Sequence, residues 1–182
     1  MVKVEKTSVY FVKPGTENTD EVIKAVAERL KEGDVKTVVV ASTSGQTGVK
    51  FAEALKDKAK VIAVSHENMN PKLKEKIGKL GGYAADETHL PLHEKGIDDV
   101  RNSFYVLGQG FKVAVEVILI AADRGLIERY KDVIGVAGTG GGADTAIVAR
   151  STPTKEIFSK DSKKRLEVNE IIAMPLKKTW WD

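Results

Sequence analysis

The chain contains no cysteine. That excludes disulfides, thiolate nucleophiles and cysteine metal sites. It also lacks a long apolar run. The richest stretch, VAVEVILIAA (Val113–Ala122), is interrupted by Glu116 and falls well short of the roughly 20 residues that span a bilayer. The amino-terminal MVKVEKTSVYF has neither an apolar signal region nor a small-residue cleavage site, so a cytoplasmic protein without a membrane partner is expected. Charge of one sign is missing too: 29 basic and 26 acidic residues are interspersed, leaving a net +3. So even a balance gives no footprint for nucleic acid. The SKKR cluster at Ser162–Arg165 lies between Asp161 and Glu167 and reads as a solvated turn. Histidine is scarce, with His66, His89 and His93 only. Pro91 between the last two argues against a helical metal pair, and no metal site is expected. There is no internal repeat and no low-complexity segment.

What is present is an alternating pattern. The 182 residues, 42% of them hydrophobic, suit one domain with a packed core over 1–182. Thr7–Val12 reads as a strand and KPGTEN as a loop. Thr19 is placed to cap a helix carrying Val22, Ile23, Val26, Ala27 and Leu30 on one face, with Asp20 and Glu21 in its first turn and Gly33 to close it. Thr37–Ala41 and Lys60–Val64 are continuous apolar strands of the kind buried on both faces. Between them a helix is expected from about Gly45 to Lys56. A further helix should start at Pro71, run through Leu80 and stop at Gly81-Gly82. From Thr88 to Gly108 the pattern blurs. Phe111–Asp123 reads as a buried helix, although its β-branched content would also suit a strand. Val133–Ala137, Thr145–Ala149 and Glu170–Met174 read as strands, the last stopped by Pro175. The expected fold is a three-layer α/β/α sandwich whose sheet is mostly parallel, with an antiparallel late strand.

In such a sheet, ligands bind outside the carboxyl ends of the strands. The segment STSGQT, Ser42–Thr47, sits there. It closes a buried strand and opens a helix, whose first amides have no intrahelical acceptor and whose dipole favours an anion. Ser42, Thr43, Ser44 and Thr47 add hydroxyls, Gln46 lies beside them, and Gly45 would let a ligand approach the backbone. One capping hydroxyl would satisfy a plain turn, so the excess points to a phosphate cradle. It is not a Walker A loop, since the Gly-Lys-Ser/Thr ending is absent. The segment AGTGGGADTA, Ala137–Ala146, formally fits a dinucleotide fingerprint, but TAIVAR after it favours a strand instead of the required helix. Gly138, Thr139, Gly140 and Gly141 are then expected in a wide loop with exposed amides near the first cradle. Asn18 and Thr19 should border the same edge, and His66 follows the third strand. Lys112, Glu116 and Asp123 share one helical face, where Glu116 is either an internal partner of Lys112 or faces a ligand. Glu116, His66 and Asp144 are the candidate acid–base groups.

KTVVVASTSGQTGVKFAEALKDKAKVIAVSHE resembles the carboxy-terminal domain of pyruvate kinase in its strand, Ser/Thr-Gly loop, helix and second strand. DVIGVAGTGGGADTAIVAR is similar to that domain's last strand, glycine-containing loop and antiparallel return strand. In many pyruvate kinases these loops hold the phosphates of a sugar bisphosphate effector. By resemblance, Ser42–Thr47 would be the main phosphate loop and Gly138–Gly142 the second wall. The likeness is closer to small stand-alone archaeal proteins with this fold, in YFVKPGTENT, VVVASTSGQT, KVAVEVILIAADRGLI, GADTAIVAR and EIIAMP. It is weaker from His89 to Gly108. Ala114 stands where a cysteine would be expected, so no essential thiol role follows. The resemblance implies flavin mononucleotide (FMN) or another phosphorylated ligand. Pyruvate kinase chemistry resides in a barrel of about 250 residues, longer than this chain, so that activity is not expected here. Three roles remain open: a binder of a phosphorylated small molecule, an enzyme using the same pocket, and a regulatory subunit with Trp180-Trp181 in a contact patch. A homo-oligomer is also left open.

Overall fold

The computed structural model describes residues 2–178. Trp180-Trp181 lies outside the described residues. Among the described residues, seven strands form one sheet. In chain order they are β1 (Val9–Phe11), β2 (Thr37–Ala41), β3 (Lys60–Val64), β4 (Tyr83–Ala85), β5 (Asp132–Ala137), β6 (Thr145–Arg150) and β7 (Val168–Pro175). The helices are α1 (Thr19–Arg29), α2 (Gln46–Ala54), α3 (Pro71–Lys79), α4 (Asp98–Tyr105) and α5 (Gln109–Asp123). The strand order is β1-β7-β6-β5-β2-β3-β4. β6 runs antiparallel to both neighbours, and every other pairing is parallel.

The alternation of side chains along each strand sorts them into two cores. Val39, Ile62, Val133 and Ile147 face α5. Val38, Val40, Val61 and Val136 pack with Val22 and Val26 of α1 and Phe51 of α2 on the other face. Both faces are therefore covered, which explains the unbroken apolar runs. Each fully buried Val, Ile or Phe contributes roughly 1.5–3 kcal/mol. α5 packs closely on β5 because position 135 is glycine: a Cβ there would stand 2.6 Å from the Ala114 carbonyl. Ala114 itself is buried in this core, away from any cleft.

Several local expectations need adjustment. Thr19 is the first residue of α1 and Asn18 occupies the cap position. α2 ends at Ala54, two residues before Lys56. β1 spans three residues and β7 starts at Val168 and includes Pro175. Pro175 lies opposite Phe11 at the sheet margin, where a proline is tolerated as a terminal strand residue. The blurred region holds a 3-10 turn at Pro91–His93 and α4. The short edge strand β4 escaped the sequence reading because three residues are too few to show an alternating pattern. No helix among the described residues is long and apolar enough to cross a membrane.

Candidate functional site

The carboxyl ends of β2, β3 and β5 open into one cleft of about 960 Å³, within the size range of sites for small organic ligands. One wall is the β2–α2 junction. Gly45 is held left-handed at φ 98° and serves as the amino-terminal cap of α2. The Cβ it lacks would stand 2.8 Å from Leu73 Cβ and 3.0 Å from Met69 Cγ. Its role is thus the turn and its packing on α3, and it does not line the cleft. The hydroxyls divide their work. Ser42 is buried and its Oγ accepts the Gly48 amide at 2.9 Å. Ser44 Oγ accepts from the Gln46 amide at 3.3 Å. Thr43, Ser44, Gln46 and Thr47 line the opening. Among the described residues, the Thr47 amide donates to no protein acceptor.

The facing wall is the loop from Gly138 to Gly142. Gly140, Gly141 and Gly142 have φ of 75°, 143° and 60°, a run that side chains would oppose. None of their three amides has a protein acceptor among the described residues. Successive free amides in such a loop form an anion-binding concavity. Asp144 builds this wall from behind. Fully buried, its carboxylate accepts from the amides of Thr139 at 2.9 Å and Gly15 at 3.3 Å, and from the Thr145 hydroxyl at 2.8 Å. Asp144 therefore positions the loop and has no face open to the cleft. Thr19 Oγ1 has a similar task, accepting from the Ala143 amide at 3.0 Å. Thr16 lines the cleft; Asn18, Thr19 and Thr139 lie outside its lining.

The floor and far wall come from α5 and from the segment whose sequence pattern blurred. Lys112 and Glu116 are both buried and form an ion pair, Nζ to Oε2, at 2.6 Å. Glu116 Oε1 accepts the Leu92 amide at 3.1 Å. That bond fixes the 3-10 turn and brings His93 Nε2 to 2.6 Å from Lys112 Nζ. The Lys112 nitrogen also lies 5.5 Å from the Tyr105 ring centroid. Burial lowers the Lys112 pKa, and the Glu116 carboxylate opposes the shift. Burial also lowers that of His93, and the Lys112 charge adds to the effect. Glu116 pairs internally with Lys112, the first of its two alternatives, and also lines the cleft. His66 lines the cleft from the end of β3, its Nε2 3.3 Å from Glu67. Asp123 shares the helical face but lies at the far end of α5, where it accepts from the Thr154 amide and hydroxyl and pairs with His89. No group of three or more metal-ligating side chains occurs among the described residues.

His93 and Tyr105 were missed as site residues. The cue available was Pro91, which opens the turn that aims His93. His93, Tyr105 and Lys112 add titratable side chains to the lining of the cleft that the amide and hydroxyl walls share.

A family model for the pyruvate kinase alpha/beta domain matches residues 20–149. The matched span contains the β2–α2 junction, the whole of α5 and the triglycine loop. By this match, the chain belongs to the pyruvate kinase alpha/beta domain family.

Proposed function

We propose that the chain binds a phosphorylated small molecule, with the phosphate between the β2–α2 junction and the triglycine loop. The observation that carries this reading is the set of unpaired amides at Thr47, Gly140, Gly141 and Gly142 on two walls of one cleft. Exposed amides at a helix start and in a glycine loop are a recurrent way to hold phosphate. The hydroxyls of Thr43, Ser44 and Thr47 supply further donors. The volume left over admits an organic part of nucleotide or flavin size. FMN is the first candidate, with nucleotides and sugar phosphates next. In this reading the chain binds its ligand without pyruvate kinase activity.

The test begins with the visible absorption spectrum of concentrated, freshly purified protein and mass spectrometry of any released ligand. A flavin spectrum supports FMN. A colourless protein whose melting temperature rises with sugar phosphates supports an effector-type site. If neither a bound phosphoryl compound nor a thermal shift with FMN, nucleotides, sugar phosphates or inorganic phosphate is found, the reading fails.

An enzymatic role is favoured by one specific observation. His93, Lys112 and Glu116 form a hydrogen-bonded titratable cluster in the wall of the same cleft.

A further inference from the structure

A lysine ammonium offers three donors and no acceptor. Glu116 Oε2, 2.6 Å from Lys112 Nζ, favours that charged form. His93 Nε2, also 2.6 Å from Nζ, must then accept. A neutral imidazole that accepts through Nε2 carries its proton on Nδ1. Nδ1 has no hydrogen-bond partner among the described residues, and the His93 side chain is 40% exposed where it lines the cleft. The turn that carries it is itself fixed by the Leu92 amide on Glu116. The imidazole is thus held at one nitrogen and free at the other.

We infer that His93 is a proton donor and acceptor toward the organic part of the cleft's phosphorylated ligand, with Lys112 as its proton reservoir. The group it serves is a carbonyl oxygen or a ring nitrogen opposite the phosphate. In the forward step the ligand atom takes the Nδ1 proton. Nε2 takes one from Lys112 Nζ, and the resulting neutral amine stays beside Glu116. The reverse step restores the starting charges, so no further reactant is needed. The surroundings fit such an exchange. Burial disfavours charge on both His93 and Lys112, so the pair holds one proton between them more readily than two. Arg101 and Tyr105 on α4, Glu116 on α5 and His66 after β3 are the other titratable groups that face this pair. This assignment rests on the phosphate-binding reading for its ligand, but the tautomer it requires can be measured without one.

With three histidines in the chain, long-range proton–nitrogen correlation spectra resolve each ring. His93 should appear as the Nδ1–H tautomer at neutral pH. Lys112→Met should abolish that preference. A dominant Nε2–H form in the wild type overturns the proton-donor assignment whatever the cleft binds. In titrations with FMN and separately with inorganic phosphate, His93→Gln should weaken FMN about tenfold, the scale of one lost hydrogen bond. It should leave phosphate affinity unchanged. Equal loss for both probes, or loss for neither, also overturns it. If the wild type binds neither probe, the phosphate reading fails and the ligand assigned to His93 falls with it.

Discussion

Ser42 Oγ accepts the amide of Gly48 across the first turn of α2, at 2.9 Å and out of contact with water. The hydroxyl that opens STSGQT therefore holds the junction together, Ser44 adds a bond to the Gln46 amide, and Thr43 and Thr47 line the cleft. The sequence could not separate these tasks, because a hydroxyl capping its own helix and one awaiting a ligand are the same residue types. Ser42→Ala should leave the Gly48 amide buried and unpaired, and cost about 1–2 kcal/mol. In a chain of this size that lowers the melting temperature by roughly 2–8 °C. Thr47→Val should do the opposite, sparing stability and weakening phosphate affinity about tenfold, the scale of one lost hydrogen bond. Chemical denaturation and phosphate titration of both variants check the division.

The Lys112–Glu116 pair has a pH signature. Burial lowers the Lys112 pKa in the folded state, so the unfolded chain binds its proton more readily. The linkage sign follows: this group costs stability at neutral pH, and the cost is relieved as pH rises toward the ordinary lysine value. Glu116→Gln removes the charge that opposes the shift. The variant should lose about 3–5 kcal/mol at pH 7, and its deficit against the wild type should shrink by pH 10. Urea unfolding at both values measures it, and a deficit independent of pH would contradict it.

A second ionic cluster acts at the acid end. Arg29 is buried and its guanidinium meets Asp34 through two bonds, at 2.7 and 2.9 Å, and Glu170 at 2.8 Å. Hydrogen bonding to Arg29 holds the Asp34 carboxyl down to about 2. Its folded pKa is depressed, so its contribution is present above the ordinary carboxylate value and lost as pH falls through about 2. Asp34 is more than half exposed, and solvent screening holds the contribution to about 1 kcal/mol or less. Asp34→Asn should be less stable than the wild type by that amount at pH 6, and the difference should close as pH falls through about 2, measured by denaturant unfolding.

The sheet was legible because its strands are buried on both faces and its helices begin at recognisable signals such as Asn70-Pro71. β4 and α4 were not. Tyr83–Ala85 is a three-residue edge, and Asp98–Tyr105 has no fully buried residue to mark a face. The two loops of the cleft were visible from composition. The third wall was not, because it depends on a long-range bond between Glu116 and Leu92 that no local pattern encodes. Asp144 was visible as a carboxylate among glycines. Its role as the support of the loop comes from three donors, one of them Gly15 at the other end of the chain.

The triglycine loop supplies the sharpest contrast between neighbouring positions. At Gly140 a Cβ would meet nothing within 4 Å, and the backbone is left-handed at φ 75°. Gly140→Ala should therefore cost only the strain of that conformation, about 1 kcal/mol, and leave the fold intact. At Gly142 a Cβ would stand 2.5 Å from Thr19 Oγ1 and 2.9 Å from Thr16 Cα. The backbone at Thr16 cannot yield without moving the start of α1, and the Thr19 hydroxyl would lose the Ala143 amide. Gly142→Ala should cost about 3 kcal/mol, combining overpacking with that broken bond. Because the Gly142 amide belongs to the proposed phosphate site, phosphate affinity should fall together with stability in this variant. Thermal unfolding with and without inorganic phosphate reads both effects. Equal destabilisation at the two positions would show that the loop is not seated on Thr16 and Thr19 as the geometry requires.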